Sequence, residues 1–179
     1  MLCCNIDVIA SGEAGHNVFV LTSFNPGSGK SFIAMNLATS FAIKGKRVLV
    51  IDGDLRHGST SSYVSNPKHG LTDYLSGQQS DIKSLVVPVK SYPSLHVLPI
   101  GKVPPNPTEL LENGRLAEVL TALRSSYDYI FIDCPPIDIV ADTQIIEKYA
   151  DRTIFIVRAG LLERSMLTEL QNIYDTRRF

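Results

Sequence analysis

Five apolar runs of strand length recur along the chain: residues 18–23 (VFVLTS), 47–52 (RVLVID), 95–100 (LHVLPI), 129–133 (YIFID) and 152–157 (RTIFIV). They are nearly continuous rather than alternating, which predicts strands covered on both faces. Helical spacing fills the gaps between them. Residues 30–43 place Ile33, Leu37 and Phe41 on one stripe, and Gly45 follows as a stop. Residues 106–126 open with Asn106 as N-cap, Pro107 at the first helical position and Glu109 closing a capping box. Gly114 breaks that pattern, and Asn113 is expected to recap a second helix with Leu116, Val119, Leu120 and Leu123 as its stripe. Further helices are expected over 141–150 and 162–176. Alternating strands and helices predict an α/β fold, a three-layer α/β/α arrangement around a mostly parallel sheet. The longest irregular stretch, 56–69, follows a strand end, where ligands gather in such sheets.

Composition narrows the class. The 179 residues suit one domain spanning 1–179. Hydrophobic residues make up 44% and charged residues 20%, and the formal net charge is −1. This balance argues against a nucleic-acid or anionic-membrane footprint, either of which would show basic clustering. Cys3, Cys4 and Cys134 have neither disulfide-framework nor zinc spacing, which fits a reducing compartment. No apolar run reaches the roughly 18–20 residues that span a bilayer, and no signal-peptide pattern opens the chain. A soluble, cytoplasmic domain is the expectation.

Three stations carry the candidate chemistry. The first is PGSGKS, residues 26–31, between a strand and a helix. That is the setting a phosphate-binding loop requires, although Phe24 stands where the common motif has its first glycine. Pro26, Gly27, Ser28, Gly29, Lys30, Ser31 and Phe32 form the expected nucleotide cradle. Its backbone N–H groups and helix dipole favour phosphate. Lys30 is expected to reach the β- and γ-phosphates, and Ser31 to hold Mg²⁺. The second station is VLVIDGDLR, with Asp52 and Asp54 at a strand end. The third is YDYIFIDCPP, with Asp133 in the form of a Walker B acid. Each alone could be an ordinary turn or strand end. In a parallel sheet all three end on one edge, so Lys30, Ser31, Asp52, Asp54 and Asp133 should converge. Several acids around one lysine and a phosphate cradle are what Mg–nucleotide chemistry needs, since without a cation the acids repel.

These motifs resemble the bacterial P-loop protein-tyrosine kinases, the autokinases tied to capsule and exopolysaccharide export. SFNPGSGKS matches the family loop, which also lacks the first glycine. VLVIDGDLRHG resembles its second motif, and NIDVI (5–9), GLTDYLSGQ (70–78), LPIGKVPPNPTELL (98–111) and YDYIFIDCPPI (127–137) follow in family order. The resemblance implies ATP, Mg²⁺ and phosphoryl transfer to tyrosine. It makes Lys30, Asp52, Asp54 and Asp133 the catalytic set, with Ser31, Asp52 and Asp133 toward the metal. Asp52 or Asp54 is placed to take the phenol proton, and the sequence does not decide which. The implied partners are tyrosines of the same or a neighbouring subunit and a membrane-bound polysaccharide co-polymerase. The implied location is the inner face of the plasma membrane, in a ring-like homo-oligomer. A second reading is a septum-site or partition ATPase. That group's loop carries an extra lysine where this chain has Asn25, and glycine where it has Pro26. The family's tyrosine cluster, its assembly segment before Leu2 and a further strand after Phe179 are not found here. A domain cut from a longer parent is the expectation. Tyr63 and Tyr174 are the more accessible tyrosines, while Tyr127 and Tyr129 flank a core strand.

Overall fold

The computed structural model describes residues 16–137 and 141–177. The 5–9 segment, Cys3, Cys4 and Asp138 lie outside them. Six strands form one sheet: β1 Val18–Thr22, β2 Val48–Asp52, β3 Val87–Val89, β4 Tyr92–Leu98, β5 Tyr129–Asp133 and β6 Arg152–Phe155, in the order β3-β4-β2-β5-β1-β6. Every neighbouring pair is parallel except β3 and β4. The helices are α1 Lys30–Ile43, α2 Leu71–Leu75, α3 Pro107–Glu112, α4 Arg115–Arg124, α5 Asp142–Glu147 and α6 Met166–Arg177.

The apolar runs are continuous because the strands are buried on both faces. All five residues of β1, β2 and β5 are buried. Strand period two then divides them. Val18, Val20, Leu49, Ile51, Ile130 and Ile132 join a core with Leu71, Leu111, Leu120 and Ile146, on the face covered by α2 to α5. Phe19, Leu21, Val48, Val50, Tyr129 and Phe131 join the opposite core under α1, with Ala34, Ala38 and Phe41. Phe41 stacks on Tyr129 with ring centroids 4.3 Å apart. This is the expected three-layer arrangement.

Helix α1 spans the predicted residues. It closes with Gly45 N–H donating to Ala42 O (3.0 Å) and Lys46 N–H to Phe41 O (3.1 Å). These bonds satisfy carbonyls that the helix end would leave open. Gly114 separates α3 from α4, and Asn113 Oδ1 accepts from Arg115 N–H at 3.0 Å. The capping box at Asn106 does not form. Instead its side-chain amide donates to Glu109 Oε2 at 2.6 Å, and no side-chain cap bond is made. Strand β4 runs over 92–98 rather than 95–100. Pro99 lacks an N–H for the ladder, and the carbonyls of Pro99 and Ile100 accept instead from Leu71 and Thr72. Strand β3 (Val-Pro-Val) and helix α2 carry too short a pattern to be read from sequence.

Candidate active site

Strand β1 ends in Thr22, and the chain then enters the loop that leads into α1. Gly27 and Gly29 sit at φ 71° and 90°, a left-handed region that only glycine enters without strain. A Cβ built on either would meet nothing within 4 Å. Backbone conformation therefore sets the requirement for glycine here, and the space beside it stays open to a ligand. Ser28 Oγ donates to Asn25 O (2.7 Å), and so does Ser23 Oγ (2.8 Å). Lys30 Nζ donates to Ser23 Oγ at 3.3 Å. The Lys30 side chain is thus drawn inward toward the sheet edge. Burial lowers its pKa, against the opposing charges of Asp133 and Asp54. Phe32 lies largely exposed, at 65%, so the ring of this predicted cradle residue faces solvent.

Asp52 and Asp133 end adjacent strands as register partners. Gly53 continues the ladder, donating to Asp133 O at 2.8 Å. A Cβ on Gly53, between Asp52 and Asp54, would stand 3.0 Å from Ile132 Cγ2 and 3.1 Å from Asp133 O, so any larger residue here would push its neighbours back by a few tenths of an ångström. Asp52 is fully buried. Its Oδ2 accepts from the Ser61 amide (2.7 Å) and hydroxyl (2.6 Å), while its Oδ1 is buried without a partner among the described residues. Burial raises its pKa, and Ser61 offsets part of the rise. Neither Asp133 oxygen has a hydrogen bond among the described residues. Burial pushes its carboxyl up to about 7; the nearby Ser31 hydroxyl and Lys30 act the other way, and Asp52 and Asp54 add to the rise. Asp54 differs. Its Oδ1 accepts from the Arg56 and His57 amides, and its Oδ2 lies 3.0 Å from His57 Nδ1.

The structure brings Lys30, Asp52, Asp54 and Asp133 to one edge, close enough for each acid's charge to act on the others or on the lysine. It also adds Ser61, Thr108 and Arg158, to which the sequence assigns no role, and it resolves Arg56, open between a phosphate or acceptor contact and a structural salt bridge, as a salt bridge. Ser61, in a short 3₁₀ turn at 61–64, ties Asp52 to the Ile100 amide through one hydroxyl. Arg56 bonds Asp142 and Thr108, not the loop. Arg158 Nη1 donates to Gly27 O at 2.9 Å. Thr108 falls within LPIGKVPPNPTELL, a stretch that marks the family without pointing to a contact for this hydroxyl. Ser61 and Arg158 carry no periodic or motif signal.

The residues present fit a Mg–nucleotide. Three carboxylate oxygens are buried without partners among the described residues, one lysine is drawn in beside them, and the loop's open side is lined by backbone. Among the described residues no group of three or more His, Cys, Asp or Glu could hold a metal alone. That suits Mg²⁺, which keeps several waters and is held through one or two carboxylates together with substrate phosphates.

Loop, helix and sheet edge are those of the P-loop nucleotide-binding class. A family model described as an AAA domain matches residues 16–175. EpsB of Ralstonia solanacearum, a putative tyrosine-protein kinase by name, is 42% identical over 163 residues, 90% of this chain and 21% of its own length. The tyrosine-protein kinase CpsD of Streptococcus agalactiae is 38% identical over 152 residues, 84% of this chain and 65% of its own. The kinase domain of the Escherichia coli tyrosine kinase ETK superposes with a TM-score of 0.86 at 28% identity, over 96% of this chain and 68% of that one. The chain belongs to the bacterial P-loop protein-tyrosine kinase family. The septum site-determining protein MinD of Pyrococcus horikoshii, solved with Mg-ADP, shares the fold alone (TM-score 0.74, 23% identity, 90% of this chain and 65% of that one).

Proposed function

We propose that this chain is the ATP- and Mg²⁺-dependent kinase domain of a protein-tyrosine autokinase. In this reading the parent protein regulates the chain length and export of a surface polysaccharide. It works at the inner face of the plasma membrane with a fused or partner co-polymerase, as a ring-like homo-oligomer. The observation that carries the reading is the pair of in-register acids, Asp52 and Asp133, with unpartnered buried oxygens beside Lys30. Among the described residues no helix is long and apolar enough to cross a membrane, so membrane attachment is assigned to the partner or to a fused segment.

The contacts support the following roles. The loop amides from Gly27 to Ser31 and the Lys30 ammonium hold the phosphates and neutralise charge that grows on the transferred group. Ser31, Asp52 and Asp133 would hold Mg²⁺ directly or through water, where it would supply positive charge against the phosphates. A phenol of pKa near 10 must lose its proton during transfer. Asp52 or Asp54 takes that proton; Ser61 fixes one Asp52 oxygen and leaves Oδ1 unpartnered among the described residues, which favours Asp52 where Ser31 and Asp133 carry the metal. Both oxygens of Asp54 are engaged by its own turn, so it supplies charge and shape. A carboxylate is a weak base. That suffices where positioning and charge neutralisation carry most of the catalysis.

The protein incubated with ATP and Mg²⁺ should become phosphotyrosine-positive, and Lys30→Met should abolish the signal. Release of free phosphate with no phosphotyrosine would replace this reading with a nucleotide-switched ATPase.

A further inference from the structure

Around Arg56, three side chains from three separate segments close into a ring. Arg56 Nε donates to Asp142 Oδ2 at 3.1 Å, and its Nη2 donates to Thr108 Oγ1 at 3.1 Å. The Thr108 hydroxyl donates in turn to Asp142 Oδ1 at 2.6 Å. The Asp142 side chain is 1% exposed and that of Arg56 36%. An exposed ion pair contributes little. Here the carboxylate is buried and both its oxygens are satisfied, so removal of Arg56 strands a buried charge and removal of the Thr108 hydroxyl leaves one oxygen without its donor. Asp142 opens α5, Thr108 lies in the first turn of α3, and Arg56 follows β2. The ring therefore clamps the chain after β2 to two helices.

The backbone of Arg56 faces the site. Its amide donates to Asp54 Oδ1 at 3.1 Å, and the His57 amide donates to the same oxygen at 3.2 Å. His57 and Gly58 also donate to Asp54 O, at 3.2 and 2.9 Å. The side chain of Arg56 thus anchors the turn whose amides orient the Asp54 carboxylate, and Asp54 is one of the charges acting on Lys30. We propose that Thr108 and Asp142 are positioning residues for phosphoryl transfer: they lock Arg56, and through the 54–58 turn they fix Asp54. The proposal rests on the kinase reading above. It also gives the Pro-Pro-Asn-Pro-Thr stretch a physical role, because that stretch delivers one hydroxyl to the ring.

The test compares Thr108→Val, which keeps the shape and loses the hydroxyl, with Thr108→Ser, which restores it. Turnover of Mg–ATP, its KM, the Kd for fluorescent ADP and the Arg56 Nε–H proton resonance are measured in each. Thr108→Val should lower kcat on the order of ten- to a hundredfold, the scale of a small misplacement of a reacting group. Nucleotide Kd should stay unchanged, the Nε–H signal should broaden through exchange, and Thr108→Ser should return all readings toward wild type. Asp142→Asn should resemble Thr108→Val; if it fails to fold, the Thr108 pair decides alone. Wild-type kcat in Thr108→Val, a parallel loss of nucleotide affinity, or no rescue by serine overturns the proposal. If the wild type turns over no ATP, the kinase reading fails, and the Nε–H signal still decides whether the lock exists.

Discussion

At the scale of single residues, the site is built from charges that the folded chain holds at a cost. Asp133 is 1% exposed, and burial lifts its carboxyl to about 7 from an ordinary 3.8. The folded state therefore keeps a proton that the unfolded chain releases. Below about pH 4 both states are protonated and the group costs nothing. Between about pH 4 and 7 the unfolded state ionises first, so stability falls as pH rises; above about pH 7 the penalty is constant. Asp133→Asn removes that penalty. In nucleotide-free, Mg²⁺-free protein, the variant should match wild type near pH 4 and exceed it by about a few kcal/mol at about pH 8. Urea melts at the two pH values measure this, and an equal gap at both would rule out ionisation as the cause. Under the proposed function the same variant should also lose kinase activity, which would set stability against function at this position. Ser61 acts the other way. Its hydroxyl serves both Asp52 Oδ2 and the Ile100 amide. Ser61→Ala leaves the buried Ile100 amide without its acceptor and Asp52 Oδ2 with the residue-61 amide alone, and should destabilise by about 1–3 kcal/mol in the same urea melts.

At the scale of elements, burial on two faces decides which segments could be read. Strands β1, β2 and β5 announce themselves because every position is apolar or ends the run, and all are buried. Helix α1 does so through Leu37, Phe41 and the Gly45 stop. Strand β3 has three residues, none fully buried, and one is Pro88; the segment has no apolar period to detect. The Asn106 box fails for a local reason: the Glu109 carboxylate takes the side-chain amide instead of the backbone N–H. Helix α1 also supplies an internal control. Phe41 is fully buried against Tyr129 and Phe131, while Ile43 is 69% exposed. Phe41→Ala should cost about 3–5 kcal/mol, the range for aromatic truncation in a core. Ile43→Ala, two residues away, should stay within about 0.5 kcal/mol. Chemical denaturation of the two variants checks the assignment of the α1 face, and similar losses in both would refute it.

At the scale of the whole molecule, the parallel sheet explains why the acids and the lysine were legible together. Parallel strands end on one edge, so motifs spaced far apart in sequence converge without any knowledge of loops. The supports were not legible, because they come from tertiary contacts of irregular segments. Thr108 meets Asp142 across 34 positions, and Ser61 meets Ile100 across 39. No periodicity encodes such pairs; only the fold brings them together. The same convergence would make a bound nucleotide a structural ligand. The loop after β1, the turn after β2 and the end of β5 would all contact it or its metal, so binding should tie three strand ends at once. A ligand that binds only the folded state at about a hundredfold excess over its Kd adds about 2.7 kcal/mol. For a chain of this size that corresponds to a rise of roughly 5–10 °C in Tm. Mg–ADP should therefore raise Tm by that amount in wild type and by far less in Lys30→Met. In Asp133→Asn the nucleotide-free Tm should start higher at about pH 8, and the rise should shrink, because the Mg²⁺ contribution is lost. Equal shifts in all three proteins would show that nucleotide stabilises the fold from somewhere other than this edge.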